Sequence, residues 1–123
     1  MKILNTKEAP QPIGPYSQGI ELDGLVFLSG QIGLKPETGE LAEGIAAQTH
    51  QVIQNIRAVL QSAGCTLTNV VKSTVYLRSM SDFTQFNQIY GDYFKVNAPA
   101  RTTVEVSALP KSALIEIDII ARK

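Results

Sequence analysis

Residues 98–123, APARTTVEVSALPKSALIEIDIIARK, constrain the fold of this chain more than any other stretch. Two runs rich in β-branched residues flank a break at Leu109-Pro110-Lys111-Ser112. Such runs favour extended backbone, and the break between them predicts a hairpin or a closely related pair of adjacent strands. Side chains alternate along a strand with period two. Thr102, Val104 and Val106 therefore share one face of the first run, and Arg101, Thr103 and Glu105 the other. In the second run Ile115, Ile117 and Ile119 alternate with Leu114, Glu116, Asp118 and Ile120. The Val/Ile set reads as an ordinary core face. The other set brings a guanidinium and several carboxylates among apolar neighbours, on a segment apolar enough to be central in a sheet. Such a face is either solvated or lines a cleft, and the function turns on which.

At 123 residues, one domain spanning 1–123 is expected. Eleven basic residues balance eleven acidic ones, so there is no electrostatic footprint for nucleic acid or an anionic membrane. No apolar run is long enough to span a bilayer. MKILNTKEAP has no sustained apolar core of a signal peptide. Together with a single cysteine, Cys65, this points to a reducing, cytoplasmic setting. One histidine and one cysteine cannot build the usual zinc sites, and no calcium-loop spacing is present, so no metal is expected.

The N-terminal fifteen residues are proline-rich loop, with Ile3-Leu4 as a possible edge strand. Gly14-Pro15-Tyr16-Ser17 precedes a strand at about 19–22. Asp23-Gly24 is a hairpin turn signal, because glycine adopts positive φ at no steric cost. The next strand, 25–34, is interrupted by Ser29-Gly30, which marks either a bulge or a close backbone approach by a ligand. A helix over about 44–63 follows, with Ile45, Thr49, Val52, Ile53, Ile56, Leu60 and Ala63 on one stripe and Gly64 ending it. Cys65 reads as a small packing residue and His50 as a surface residue. A third long strand, 71–78, places Val71, Ser73, Val75 and Leu77 on one face. Ser81 reads as the N-cap of a second helix running to about residue 95, with Phe83, Phe86, Tyr90, Tyr93 and Phe94 as its buried stripe. Asn87 lies beside that stripe, placed either to reach a site or to cap a loop. The order is β-β-α-β-α-β-β. Two amphipathic helices cover only one face of such a sheet, and a partner subunit is the natural cover for the apolar remainder.

Five pieces, GPYSQG at 14–19, LSGQI at 28–32, PAR at 99–101, LPK at 109–111 and IEI at 115–117, occur here in order. Together they resemble the reactive intermediate deaminase family, also called RidA/YjgF and, in older usage, endoribonuclease L-PSP. The resemblance runs from Asn5 to Lys123. It implies an α+β, chorismate-mutase-like fold: a single mixed sheet with two helices packed on one face and the other face forming a trimer core. It also implies a homotrimer with a cleft at each subunit interface, and hydrolysis of 2-imino or 2-enamino acids to 2-keto acids and ammonia with no cofactor.

By the same resemblance, Arg101 holds the substrate carboxylate, for which a planar guanidinium is suited. Glu116 positions and activates the attacking water and relays a proton to the leaving nitrogen. Tyr16, Ser29, Gly30 and Asn87 match cleft-lining positions, and Thr103 matches one whose backbone helps hold water or substrate. Many deaminase-active members carry Cys at that last position, so Thr103 is the main departure. Taken singly, Arg101 also reads as a surface ion-pair residue and Glu116 as a solvated strand residue. Two other functions compete: an endoribonuclease or translation inhibitor, and a non-catalytic trimer that binds small carboxylates or acts as a chaperone. The lack of a basic stripe, an RNA-binding motif or a histidine pair speaks against the first. Glu116 favours an enzyme over the second.

Overall fold

The computed structural model describes all 123 residues. Eight elements carry the fold: β1 (Lys2–Leu4), β2 (Gly19–Leu22), β3 (Leu25–Ile32), α1 (Gly44–Ser62), β4 (Val70–Leu77), α2 (Phe83–Tyr93), β5 (Ala100–Glu105) and β6 (Ile115–Arg122). The strands form one six-stranded sheet in the order β1-β2-β3-β6-β4-β5. Only β4 and β5 pair in parallel, with α2 as their crossover, so the sheet is mixed. No helix is long and apolar enough to cross a membrane.

The last two strands are not neighbours, contrary to the hairpin reading of residues 98–123. β4 lies between them, parallel to β5 and antiparallel to β6. The connection passes over the end of β4, which it brackets: the Val106 amide donates to the Leu77 carbonyl (2.9 Å) and the Arg78 amide to the Leu114 carbonyl (3.0 Å). Lys111 and Ser112 take left-handed φ values of 56° and 58° to turn the chain back. The physical reason lies in composition. β6 buries Ile115, Ile117, Ile119 and Ala121 and needs a paired neighbour on both edges. β5, with Ala100, Thr102, Val104 and Glu105 exposed and Arg101 and Thr103 only half-buried, tolerates the edge.

Helix α1 presents the expected stripe, with Ile45, Thr49, Val52, Ile53, Ile56 and Leu60 buried. It ends in a Schellman arrangement: the Cys65 amide donates to the Leu60 carbonyl and the Gly64 amide to the Gln61 carbonyl, with Gly64 at φ +75°. Cys65 is accordingly a buried packing residue. Asp23 and Gly24, both at positive φ, close the β2–β3 hairpin as a two-residue turn. At the second helix the expected cap moves. Ser79, not Ser81, is the capping side chain, accepting from the Ser81 amide (3.2 Å) to start a short 3₁₀ turn, and α2 proper begins at Phe83 and ends at Tyr93. Val71 also departs from its expected face. A register shift between Val70 and Lys72 puts Val70 in the core and leaves Val71 exposed.

Both helices pack on one face of the sheet, over Leu4, Val26, Leu28, Val75, Leu77 and the β6 isoleucines. The opposite face has no cover. Ile3, Leu25, Phe27 and Val104 stand exposed on it, with Ile32, Tyr76, Glu116, Asp118 and Ile120 half-buried among them. Buried amides fasten the loops. Gln18 accepts from the Thr6 amide (2.7 Å) and donates to the carbonyls of Thr6 and Pro10, tying down the N-terminal loop. Gln48 links the Ala42 carbonyl to the Leu114 amide, and Asn55 donates to the carbonyls of Ile32 and Leu34. Gln18→Ala strands several of these groups without a partner. It is expected to cost about 1–3 kcal/mol by urea denaturation, and hydrogen exchange in residues 6–16 should rise with it.

Candidate active site

The Ser29-Gly30 interruption of β3 is both a bulge and a close approach. Strand pairing with β6 shifts register between Leu28 and Gln31, which returns Ile32 to the open face alongside Leu25 and Phe27. The Ser29 hydroxyl donates to the Ser17 carbonyl (2.6 Å) and its amide to the Gln18 carbonyl (3.0 Å). Ser29 therefore anchors the bulge to the N-terminal loop. What approaches Gly30 is the Glu116 side chain: a Cβ at position 30 would lie 2.5 Å from Glu116 Oε2 and 2.8 Å from its Cδ. The absence of a side chain on Gly30 is what gives Glu116 its place.

Glu116 stands at the wall of a cleft of about 410 Å³ that also takes in Gln11, Tyr16, Gly30, Pro110 and Lys111. Three segments build it: the proline-rich loop held by Gln18, the β3 bulge, and the left-handed turn before β6. Burial, and secondarily the nearby charge of Asp118, push the Glu116 carboxyl above its ordinary range. A raised carboxyl is a stronger base when ionised and holds a proton to higher pH, both of which suit proton transfer.

Arg101 is elsewhere. In the sheet register it pairs with Ser73, whose hydroxyl shares a 2.6 Å hydrogen bond with that of Tyr90 on α2. Arg101 and Thr103 thus point to the helix-covered side, at the β5 edge. The guanidinium carbon lies 4.8 Å from the Tyr90 ring centre, 5.4 Å from Phe86 and 5.7 Å from Phe83, within the range of cation–π attraction. Thr103 Oγ1 is buried without a hydrogen-bond partner. Asn87 is exposed on α2, the helix that supplies these rings.

The expectation that Arg101 and Thr103 share a face with the carboxylates of β6 therefore fails. The alternation within each run is as read, but Thr102 and Val104 lie on the open face with Glu116 and Asp118, while Arg101 and Thr103 lie on the other. The candidate residues fall into two groups, Tyr16, Gly30 and Glu116 bordering the cleft and Arg101 and Thr103 on the helix-covered side of the β5 edge, with Asn87 exposed on α2. The only ion pair in the molecule joins Lys123 to Glu21, so neither Arg101 nor Glu116 has an opposite charge bound to it. Sequence reasoning missed the contributions of Gln11 and Lys111 to the cleft and the role of the α2 rings as a shelf for Arg101. The LPK motif was the available signal for Lys111, whereas the rings had no signal beyond their helical spacing. His50, as expected, is exposed, bonded through Nδ1 to the Tyr93 hydroxyl (2.7 Å), and does not line the cleft.

A family model described as endoribonuclease L-PSP matches residues 6–123. A RutC family protein of Pyrococcus abyssi is 50% identical over 123 residues, covering 99% of this chain and 97% of its own length. The human 2-iminobutanoate/2-iminopropanoate deaminase is 46% identical over 121 residues, covering 98% of this chain and 88% of the human one. Among solved structures, E. coli TdcF with bound serine superposes with a TM-score of 0.97 at 36% identity, covering 100% of this chain and 99% of the other. The chain belongs to the endoribonuclease L-PSP family, the group also known as RutC and RidA/YjgF, and its sheet is the chorismate-mutase-like fold of that family.

Gly30→Ala tests the geometry of the cleft. The added methyl meets a flexible side chain and not backbone, so the melting temperature should change little. Glu116 must swing away from its buried place, and a carbon-13 NMR titration of its carboxyl should show the midpoint moving down toward the ordinary carboxylate range. An unmoved midpoint would show that the position of Glu116 over Gly30 is immaterial.

Proposed function

We propose that this protein is an imine/enamine deaminase, hydrolysing small 2-imino acids such as 2-iminobutanoate and 2-iminopropanoate to 2-keto acids and ammonia. We further propose that it works as a homotrimer whose clefts lie between copies. The observation that carries this reading is the separation of Arg101 and Glu116 onto opposite faces of one sheet, each without a charged partner. A single chain does not bring a carboxylate holder and a base to one substrate. Two copies do so if the open face of one, with Glu116, meets the β5 edge of another, with Arg101. Burying Leu25, Phe27 and Val104 on such a contact supplies the driving force, roughly 25 cal/mol per Å² of apolar surface removed from water.

In this arrangement the guanidinium, held over its aromatic shelf, pairs with the substrate carboxylate. Glu116 takes a proton from a water whose oxygen adds to C2 of the imine and passes that proton to the imine nitrogen, giving a carbinolamine. It then takes the carbinolamine hydroxyl proton and delivers it to the nitrogen as the C2–N bond breaks, releasing ammonia and leaving the 2-keto acid. No redox step is involved, and Glu116 ends in its starting state. The buried, unpartnered Thr103 Oγ1 sits beside Arg101 on the same strand face, where a ligand or the neighbouring copy would satisfy it. The deaminase names of the human and mouse relatives and the serine bound to E. coli TdcF support a cleft suited to small amino-acid-like carboxylates. The endoribonuclease description has less support here, since the one histidine lies outside both groups.

Arg101→Ala and Glu116→Gln separate binding from chemistry. A charge-assisted hydrogen bond contributes about 1.5–3 kcal/mol, so Arg101→Ala should weaken binding of a stable 2-keto acid roughly ten- to hundred-fold by calorimetry. Glu116→Gln keeps shape and loses basicity, so binding should hold while kcat falls by about 10²–10⁴ in an assay that generates 2-iminobutanoate in situ. Wild-type turnover in Glu116→Gln removes its proposed role, and unchanged affinity in Arg101→Ala places the carboxylate pocket elsewhere.

A further inference from the structure

We infer that Asp118, pinned by the Tyr76 hydroxyl, is a positioning residue that sets the proton affinity of Glu116 and with it the pH window of the reaction. The inference rests on the reading of Glu116 as the group that handles water. Alternation on β6 puts residues 116 and 118 on the same face, about 7 Å apart along the strand. Tyr76 of β4 is the residue directly opposite Glu116 in the register, and Thr74 is opposite Asp118. Yet Tyr76 donates its hydroxyl diagonally, to Asp118 Oδ2 at 3.1 Å. Diagonal neighbours on a sheet are within reach of a tyrosine. Glu116 thereby loses the one donor its cross-strand neighbour has to offer, and a second carboxylate is fixed at short range on its own strand. Both arrangements disfavour a charge on Glu116. They act in the same direction as its burial, which is the larger influence.

The other elements packed around Glu116 do little to oppose this. β3 contributes Gly30, Gln31 and Ile32, none of which titrates. The N-terminal loop contributes Tyr16, and the turn before β6 contributes Lys111, the one cation bordering the cleft. On β4, Lys72 pairs in register with Ile120 and donates to the Thr102 hydroxyl, away from Glu116. In the proposed assembly the neighbouring copy adds Arg101. The upward direction persists with Lys111 present.

A purely structural Tyr76–Asp118 pair would affect stability and leave Glu116 untouched, which gives a clean test. The side-chain carboxyl of Glu116 is titrated by carbon-13 NMR in the assembled wild-type protein and in Asp118→Asn, Asp118→Glu and Tyr76→Phe, each first shown to be folded by circular dichroism. In parallel, kcat/KM is measured against pH. Asp118→Asn should move the Glu116 midpoint and the acidic limb of the rate profile to lower pH together, because the base then loses its proton earlier. Asp118→Glu should restore the wild-type midpoint. Tyr76→Phe, which unpins Asp118, should give a smaller shift in the same direction as Asp118→Asn. A Glu116 midpoint that does not move in folded Asp118→Asn overturns the inference. The NMR titration decides this even if the wild-type protein shows no imine turnover, an outcome that would sink the deaminase reading separately.

Discussion

Strand β6 sits between β3 and β4 and pairs with both, and nearly everything else follows from that placement. Its Ile115, Ile117 and Ile119 form the floor on which the helices rest, each worth roughly 1.5–3 kcal/mol when fully buried. Its alternate residues, Glu116, Asp118 and Ile120, are carried by the same pleat to the uncovered face. The core and the Glu116 carboxylate are therefore two sides of one strand. A core isoleucine cannot be lost without disturbing the carboxylate, and a register slip of one residue would exchange the two sets.

The same insertion explains why the candidate site comes in two parts. β6 takes the place beside β4 that a hairpin partner would have given to β5, and it leaves β5 at the sheet edge. There Arg101 reaches the aromatic side of α2 on the helix-covered face, while Glu116 faces the opposite way. The chain presents a cation on a hydrophobic shelf and a buried-side carboxyl in a cleft, each unpaired. Two unpaired, complementary groups and an apolar uncovered face are mutually consistent with the proposed contact between copies.

Local features were legible in the sequence because they depend on local chemistry. The α1 stripe, the Asp23-Gly24 turn, the Gly64 stop and the bulge at Ser29-Gly30 each follow from the residues within one or two turns of chain. Face alternation inside 101–105 and 115–120 was legible for the same reason. What could not be read was parity between separate strands. Whether Arg101 and Glu116 share a face depends on which strand lies between β5 and β6, and on the register in which that strand pairs with each of them. No single segment encodes these. The displaced helix cap is a smaller case: Ser79 and Ser81 both suit a cap, and the extra 3₁₀ turn selects the first. The family resemblance named the site residues without saying that one chain holds them apart.

The proposed function requires that each working cleft take Arg101 from one copy and Glu116 from another. Subunit complementation tests it directly. Arg101→Ala and Glu116→Gln chains, each nearly inactive alone, are coexpressed with different tags and the mixed assemblies isolated. In a cyclic trimer that holds both kinds of chain, about one cleft in three receives both native residues, so activity should return to roughly a third of the wild-type level. Mixed assemblies no more active than their parents would contradict the claim and place both residues in the service of a single chain.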